Sequence, residues 1–128
     1  MKKETLSTGR MGEEMACNYL LGHGHTILER NWRGGHLEVD LISLDKAGVH
    51  IVEVKTRRLP AVAAPEANVG AAKKQHLVKA AKAWLSSEDR APVPAGAELF
   101  FDVISVEFAP DGTADLRYYP QAFIPIYV

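Results

Sequence analysis

The chain has 128 residues, 47% of them apolar and 24% charged, with a formal charge of −1, which suits one compact domain with a sizeable core. No run of eighteen apolar residues occurs, excluding a membrane-spanning helix, and the near-neutral charge excludes the strongly basic balance of a protein that coats nucleic acid indiscriminately. The single cysteine, Cys17 in MACNYL, excludes an intramolecular disulfide and reads as a small buried side chain in a reducing, cytoplasmic setting.

The opening MKKETLSTGRMGEE has two lysines but no apolar stretch behind them, so it does not read as a signal peptide. A helix is predicted from about residue 8 to 22, with Ser7 or Thr8 as N-cap and Gly22 and Gly24 as its stop. Met11, Met15, Ala16 and Tyr19 form its buried stripe at helical spacing. Gly12 falls on the same face, where it would permit close approach to a neighbour. Glu13 lies at the edge of the stripe beside Leu20, and Glu14 points away.

HTILERNW (25–32) is predicted as a strand and RGG (33–35) as a turn. LEVDLISL and VHIVEVKTR are two further strands joined by DKAG (45–48), a four-residue turn with its glycine last. PAVAAPEA (60–67) is a loop, and 68–86 a second helix with Val69, Ala72, His76, Leu77, Ala80 and Trp84 inward. After a loop over 86–98, ELFFDVISVEF and ADLRYYPQAF are the last strands, with PDG as a turn between them and an apolar tail behind. The order predicts a single α+β domain over residues 1–128, with helices layered against a sheet. His23 and His25 in GHGH have a spacing that can bind metal but no clustered partner, so they read as loop residues. Trp32 and Trp84 read as core, and Asp102 as a buried hydrogen-bonding acid rather than a second support near the site.

Strict alternation puts Glu38, Asp40 and Ile42 on one strand face, and Ile51, Glu53 and Lys55 on one face of the next. If DKAG is the whole turn, Leu44 pairs with Val49, which places Asp40 opposite Glu53 and Glu38 opposite Lys55. Carboxylates roughly 5 Å apart repel by about 3 kcal/mol at an effective dielectric of ~20. A hard divalent ion offsets that, because Mg²⁺ takes oxygen ligands and is held by one or two carboxylates with waters and substrate phosphate. Asp40 and Glu53 are the expected ligands, with the backbone carbonyl of Val54 completing the set and Glu13 as a further ligand or support. Lys55 is placed to orient water or stabilise developing charge. Lys73 is placed to hold a phosphate through its positive charge. EVKTRR (53–58) and AAKKQHLVKAAKAW (71–84) form locally basic stretches, which make Arg57, Arg58 and Lys74 further candidates for contact with a nucleic-acid backbone.

At these residues the chain resembles the PD-(D/E)xK nuclease core: Asp40, a short hairpin, then Glu53-Val54-Lys55. More closely it resembles the YraN-like family of bacterial proteins, which are predicted endonucleases. The likeness runs through G9-R-M-G-E13, N31-W-R33 with L37-E-V-D-L-I42, V52-E-V-K-T-R-R58, V69 with K73, A80-A81 with W84-L85, F101-D-V103 and Q121-A-F123. The chain departs from it at Leu37, where the family prefers glycine, at Phe100, where arginine often stands, and in 59–66, which lacks Phe-Gly.

The resemblance implies a restriction-endonuclease-like core with a mixed central sheet and flanking helices. It assigns catalytic and metal positions to Glu13, Asp40, Glu53 and Lys55, and Lys73 as the helix lysine. The activity expected is Mg²⁺- or Mn²⁺-dependent hydrolysis of phosphodiesters in nucleic acid, DNA before RNA, with no membrane partner. A homodimer would suit cleavage of both strands of a symmetric substrate. The alternatives are a non-catalytic nucleic-acid-binding module of the same fold and a protein-interaction domain.

Overall fold

The computed structural model describes residues 2–60 and 70–123, with side chains from residue 8 onward. The loop over 61–67, the first residues of the predicted second helix including Val69, and the tail over 124–128 lie outside the described residues. The order is α1 (Lys2–Gly22), β1 (Thr26–Gly34), β2 (Leu37–Leu44), β3 (Gly48–Arg58), α2 (Ala71–Ser86), β4 (Glu98–Phe108) and β5 (Ala114–Phe123). The five strands form one sheet in the order β1-β2-β3-β4-β5. All neighbours are antiparallel except β3 and β4, which run parallel across the α2 crossover. The sheet is therefore mixed, as expected, and the α+β fold is consistent with a restriction-endonuclease-like core.

Each face of the sheet carries one helix and one core. On one side Ala16, Cys17 and Leu20 of α1 pack on Leu41, Val52, Ile104, Val106 and Phe108. On the other, Leu77, Ala80, Ala81 and Trp84 of α2 pack on Val39, Ile42, Val49, Ile51, Phe101, Val103 and Phe123. Strands whose two faces both meet a helix become nearly continuous apolar runs, and β4 is buried from Phe101 to Phe108. Trp84 is fully buried and still finds a polar partner, its Nε1–H donating to Glu29 Oε2 at 3.0 Å.

Two glycines set the close approaches. A Cβ at Gly12 would lie 2.1 Å from Thr56 Oγ1, so α1 rests directly on β3, and Glu13 is the next residue along. At Gly48 a Cβ would meet the Glu98 carbonyl oxygen at 2.4 Å, where the hairpin turn feeds β3 beside β4.

Several expectations are corrected. Helix α1 starts near Lys2 rather than Thr8, because KKETLS contains no residue that stops a helix. Thr8 is therefore inside the helix, buried, and accepts a hydrogen bond from Arg58. The buried face of α1 is Thr8, Gly12, Ala16, Cys17 and Leu20, while Met11 is exposed. The apolar stripe is thus rotated toward the small residues that let the helix sit down. On α2, Ala72 is exposed and His76 half-buried, and Ala81 joins the core instead. Strand β1 runs on through Gly34, so the turn is confined to Gly35 and His36.

Candidate functional site

The β2–β3 hairpin forms as its turn chemistry dictates. Asp45 Oδ1 accepts the N–H groups of Ala47 and Gly48, and Leu44 pairs with Val49. The ladder then runs through Ser43–His50 and Ile42–Ile51 to Leu41–Val52, where it ends. The predicted pairs Asp40–Glu53 and Glu38–Lys55 do not form as ladder partners. Instead Asp40 Oδ2 accepts the Val54 N–H at 2.8 Å. A side chain thus takes the place of a strand backbone where the register would otherwise continue.

The alternation in β2 breaks at the same point. Val39 and Ile42 belong to the α2-side core although strict alternation would oppose them, and Leu41 belongs to the α1 side. On β1, Asn31 falls opposite Asp40 by the register of its neighbours and has φ 52, a left-handed conformation that asparagine tolerates better than most residues. Its Nδ2 donates to Glu13 Oε1 at 2.6 Å. This holds Glu13 half-buried at the helix edge, while Glu14 is exposed and paired with Arg30 at 2.8 Å.

Three charged groups, Glu53, Glu13 and Lys73, therefore bear on Asp40 along with the Val54 N–H. Burial pushes its carboxyl up, Glu53 pushes it further, the Val54 N–H opposes, Glu13 raises it and Lys73 lowers it. The result is a carboxyl pushed up to about 7. Lys73 Nζ is 3.5 Å from Glu53 Oε2, so α2 supplies the positive charge that meets the second acid. Lys55 follows two residues after Glu53 on β3 and is half-buried. The donor set is rich in carboxylate oxygens, from Asp40, Glu53 and Glu13, with Lys73 paired to one of them. That chemistry fits a hard divalent cation.

The remaining predicted residues lie elsewhere. Glu38 pairs with Arg33, its register partner on β1, at 3.4 Å, beyond the point where the β2–β3 ladder ends. Arg57 Nε is 3.3 Å from the buried Glu107, its register partner on β4. Arg58 donates to Thr8 of α1. Both arginines thus tie elements of the fold together. Lys74 is exposed on α2, with its Nζ 5.7 Å from the centre of the Phe123 ring. A groove of about 460 Å³ runs beside β1, lined by Cys17, Leu21 and His25 through Arg30, and contains none of these acids.

Sequence reasoning missed a second polar cluster. His25 Nδ1 is 2.9 Å from Ser43 Oγ and its Nε2 is 3.4 Å from Asp45 Oδ2. His50 Nε2 is 2.9 Å from Asp45 Oδ1, and its Nδ1 is 2.6 Å from Asp102 Oδ2. Asp102 is buried as expected and also accepts from Tyr118 Oη at 2.6 Å and from the Gln121 N–H at 2.9 Å. The available signal was polar residues on one face of adjacent strands, Ser43 beside His50, with Asp102 one strand over.

The model of a family described as "Uncharacterised protein family UPF0102" matches residues 12–106. A UPF0102 protein of Oleidesulfovibrio alaskensis is 48% identical over 84 residues, 66% of this chain and 42% of that protein, so the chain spans less than half of that relative. A UPF0102 protein of Trichlorobacter lovleyi is 36% identical over 122 residues, 94% of this chain and 93% of its own. Another, from Syntrophotalea carbinolica, is 38% identical over 123 residues, 96% of each.

Proposed function

We propose that this chain, which belongs to the uncharacterised family UPF0102, is a metal-dependent nuclease of the PD-(D/E)xK type that hydrolyses phosphodiester bonds, DNA before RNA. The observation that carries the reading is the gathering of half-buried Asp40, fixed on the Val54 N–H at 2.8 Å, with Glu53, its Lys73 partner at 3.5 Å and Glu13 held by Asn31. There burial and then Glu53 push the Asp40 carboxyl up. Carboxylates crowded so that they disfavour their own ionised form are characteristic of metal and catalytic sites. A bound Mg²⁺ or Mn²⁺ supplies Lewis-acid polarisation of the phosphoryl oxygen and a more acidic water.

Asp40 and Glu53 would hold the ion with the Val54 carbonyl, and Asp40 is fixed by the Val54 N–H at 2.8 Å. Glu13, set by Asn31, adds negative charge at the rim. Lys55 orients the attacking water and meets the charge that develops on phosphate. Lys73 pairs with Glu53 without substrate and turns to a phosphate oxygen when one arrives. Lys74 extends that positive face along α2. Arg57 and Arg58 act on nucleic acid indirectly, by fixing the strand that carries Glu53 and Lys55.

The test is incubation of single-stranded, duplex, flap and four-way-junction DNA, and of RNA, with Mn²⁺ or Mg²⁺. Metal-dependent cleavage that disappears in Asp40→Asn and in Lys55→Ala supports the reading. Cleavage that survives in both variants, or none on the whole panel, overturns it. Salt-dependent binding without cleavage would then favour the non-catalytic module.

A further inference from the structure

His25, Ser43, Asp45, His50, Asp102 and Tyr118 gather residues from the link just before β1 and from the β2–β3 turn with residues of β2, β3, β4 and β5. The nuclease reading uses none of them. His25, Ser43, His50 and Asp102 are buried, and Asp45 is half-buried at the turn. Burying two imidazoles with two carboxylates is costly unless every polar atom has a defined partner.

The partners are those of a metal centre. Asp102 and Asp45 are carboxylates and only accept, so His50 donates from both nitrogens, Nδ1 to Asp102 at 2.6 Å and Nε2 to Asp45 at 2.9 Å, and a cation would take the place of the Nε2 hydrogen. His25 repeats the pattern, with Nδ1 on Ser43 Oγ and Nε2 toward Asp45. Fixing the far nitrogen of each histidine on a carboxylate or hydroxyl is how metal-bound imidazoles are oriented. Asp45 is held in turn by the N–H groups of Ala47 and Gly48 at 2.9 and 3.2 Å.

The spacing agrees. Ligand atoms at the corners of a tetrahedron with Zn–N and Zn–O bonds of 2.0–2.1 Å lie about 3.3 Å apart. Here His50 Nε2 lies 2.9 Å from Asp45 Oδ1 and His25 Nε2 lies 3.4 Å from Asp45 Oδ2, so the carboxylate stands between the two rings, and one ligand atom from each residue falls within 4.8 Å of the others. Two nitrogens and one carboxylate suit a borderline cation rather than a hard one. His25 also lines the groove beside β1, which gives an ion a route from solvent.

We propose that His25 Nε2, His50 Nε2 and Asp45 form a three-ligand site for a borderline divalent cation of the Zn²⁺ class, separate from the carboxylates around Asp40. Water from the groove completes the fourth position. Binding replaces the hydrogen that joins His50 to Asp45, and the carboxylates of half-buried Asp45 and buried Asp102 balance the ion's charge. The site pins the start of β1 to the closed end of the hairpin whose open end carries Asp40 and Glu53.

The test titrates metal-free protein with Zn²⁺ and reads heat and the ¹⁵N shifts of the histidine rings. One equivalent is expected to bind and to move Nε2 of His25 and His50, while Co²⁺ gives the visible absorption of a four-coordinate site and Mg²⁺ does not compete. His50→Gln and Asp45→Asn lose this binding, whereas Asp40→Asn and a His36→Gln/His76→Gln variant keep it. Ser43→Ala retains all three ligands and weakens binding by roughly 10–100-fold, as loss of an orienting partner does. No binding by the unaltered protein, shifts at Nδ1, or loss in Asp40→Asn instead of His50→Gln would overturn the proposal. Because the ring shifts are read on the unaltered protein, the result stands even if a histidine variant fails to fold.

Discussion

Replacing Asp40 by Asn is expected to stabilise the fold and abolish its chemistry. Burial first, then Glu53, push the Asp40 carboxyl up to about 7, against an ordinary value near 4 in the unfolded chain. The folded state therefore holds a proton that the unfolded state has lost, and stability falls as pH rises from about 4 to about 7. At ~1.4 kcal/mol for each pH unit of that window, the cost above neutrality is about 4 kcal/mol. Asparagine keeps an oxygen to accept the Val54 N–H and has no charge to lose. Urea unfolding in EDTA, from pH 4 to pH 8, measures the difference between the two proteins. The advantage of Asp40→Asn should grow with pH by a few kcal/mol and level off above pH 7. A difference that stays flat with pH would refute the reasoning, because it would mean that Asp40 ionises in the fold as easily as in the unfolded chain.

Gly12→Ala places a Cβ 2.1 Å from Thr56 Oγ1 and should cost about 1–3 kcal/mol by overpacking. Urea unfolding of the double variant with Thr56→Ala should recover much of that loss, which a cause unrelated to this contact would not allow. Tyr118→Phe removes the 2.6 Å donor to the buried Asp102 and should cost about 1.5–3 kcal/mol by the same measurement, as loss of a hydrogen bond to a charged group does.

The hairpin was legible because turn and pattern agree. DKAG closes through Asp45, and the apolar pairs follow from Leu44–Val49 inward. The close seat of α1 was legible too, since a glycine amid larger residues marks the point where the backbone can approach. The sequence pattern predicts Asp40 opposite Glu53 as a ladder pair, whereas the ladder ends at Leu41–Val52 and Asp40 takes the Val54 N–H. A carboxylate capping the Val54 N–H has no period in the sequence, and neither does the break in alternation between Val39 and Leu41. Met11 was read inward because it is apolar, whereas the contact with β3 selects small side chains and leaves Met11 exposed. The histidine cluster escaped because it is drawn from the turn and the ends of separate strands. Asp102 could be read as buried from FFDVI, but its partner His50 stands 52 residues away.

The central claim is that the acids around Asp40 lodge a divalent cation. Titrating Mn²⁺ into the protein at pH 8, with free Mn²⁺ followed by its paramagnetic resonance signal, tests it most directly. The unaltered protein should remove Mn²⁺ from solution, and Asp40→Asn and Glu53→Gln should each lose that capacity, while His50→Gln keeps it. Equal uptake by all four proteins, or none by the unaltered one, would contradict the account.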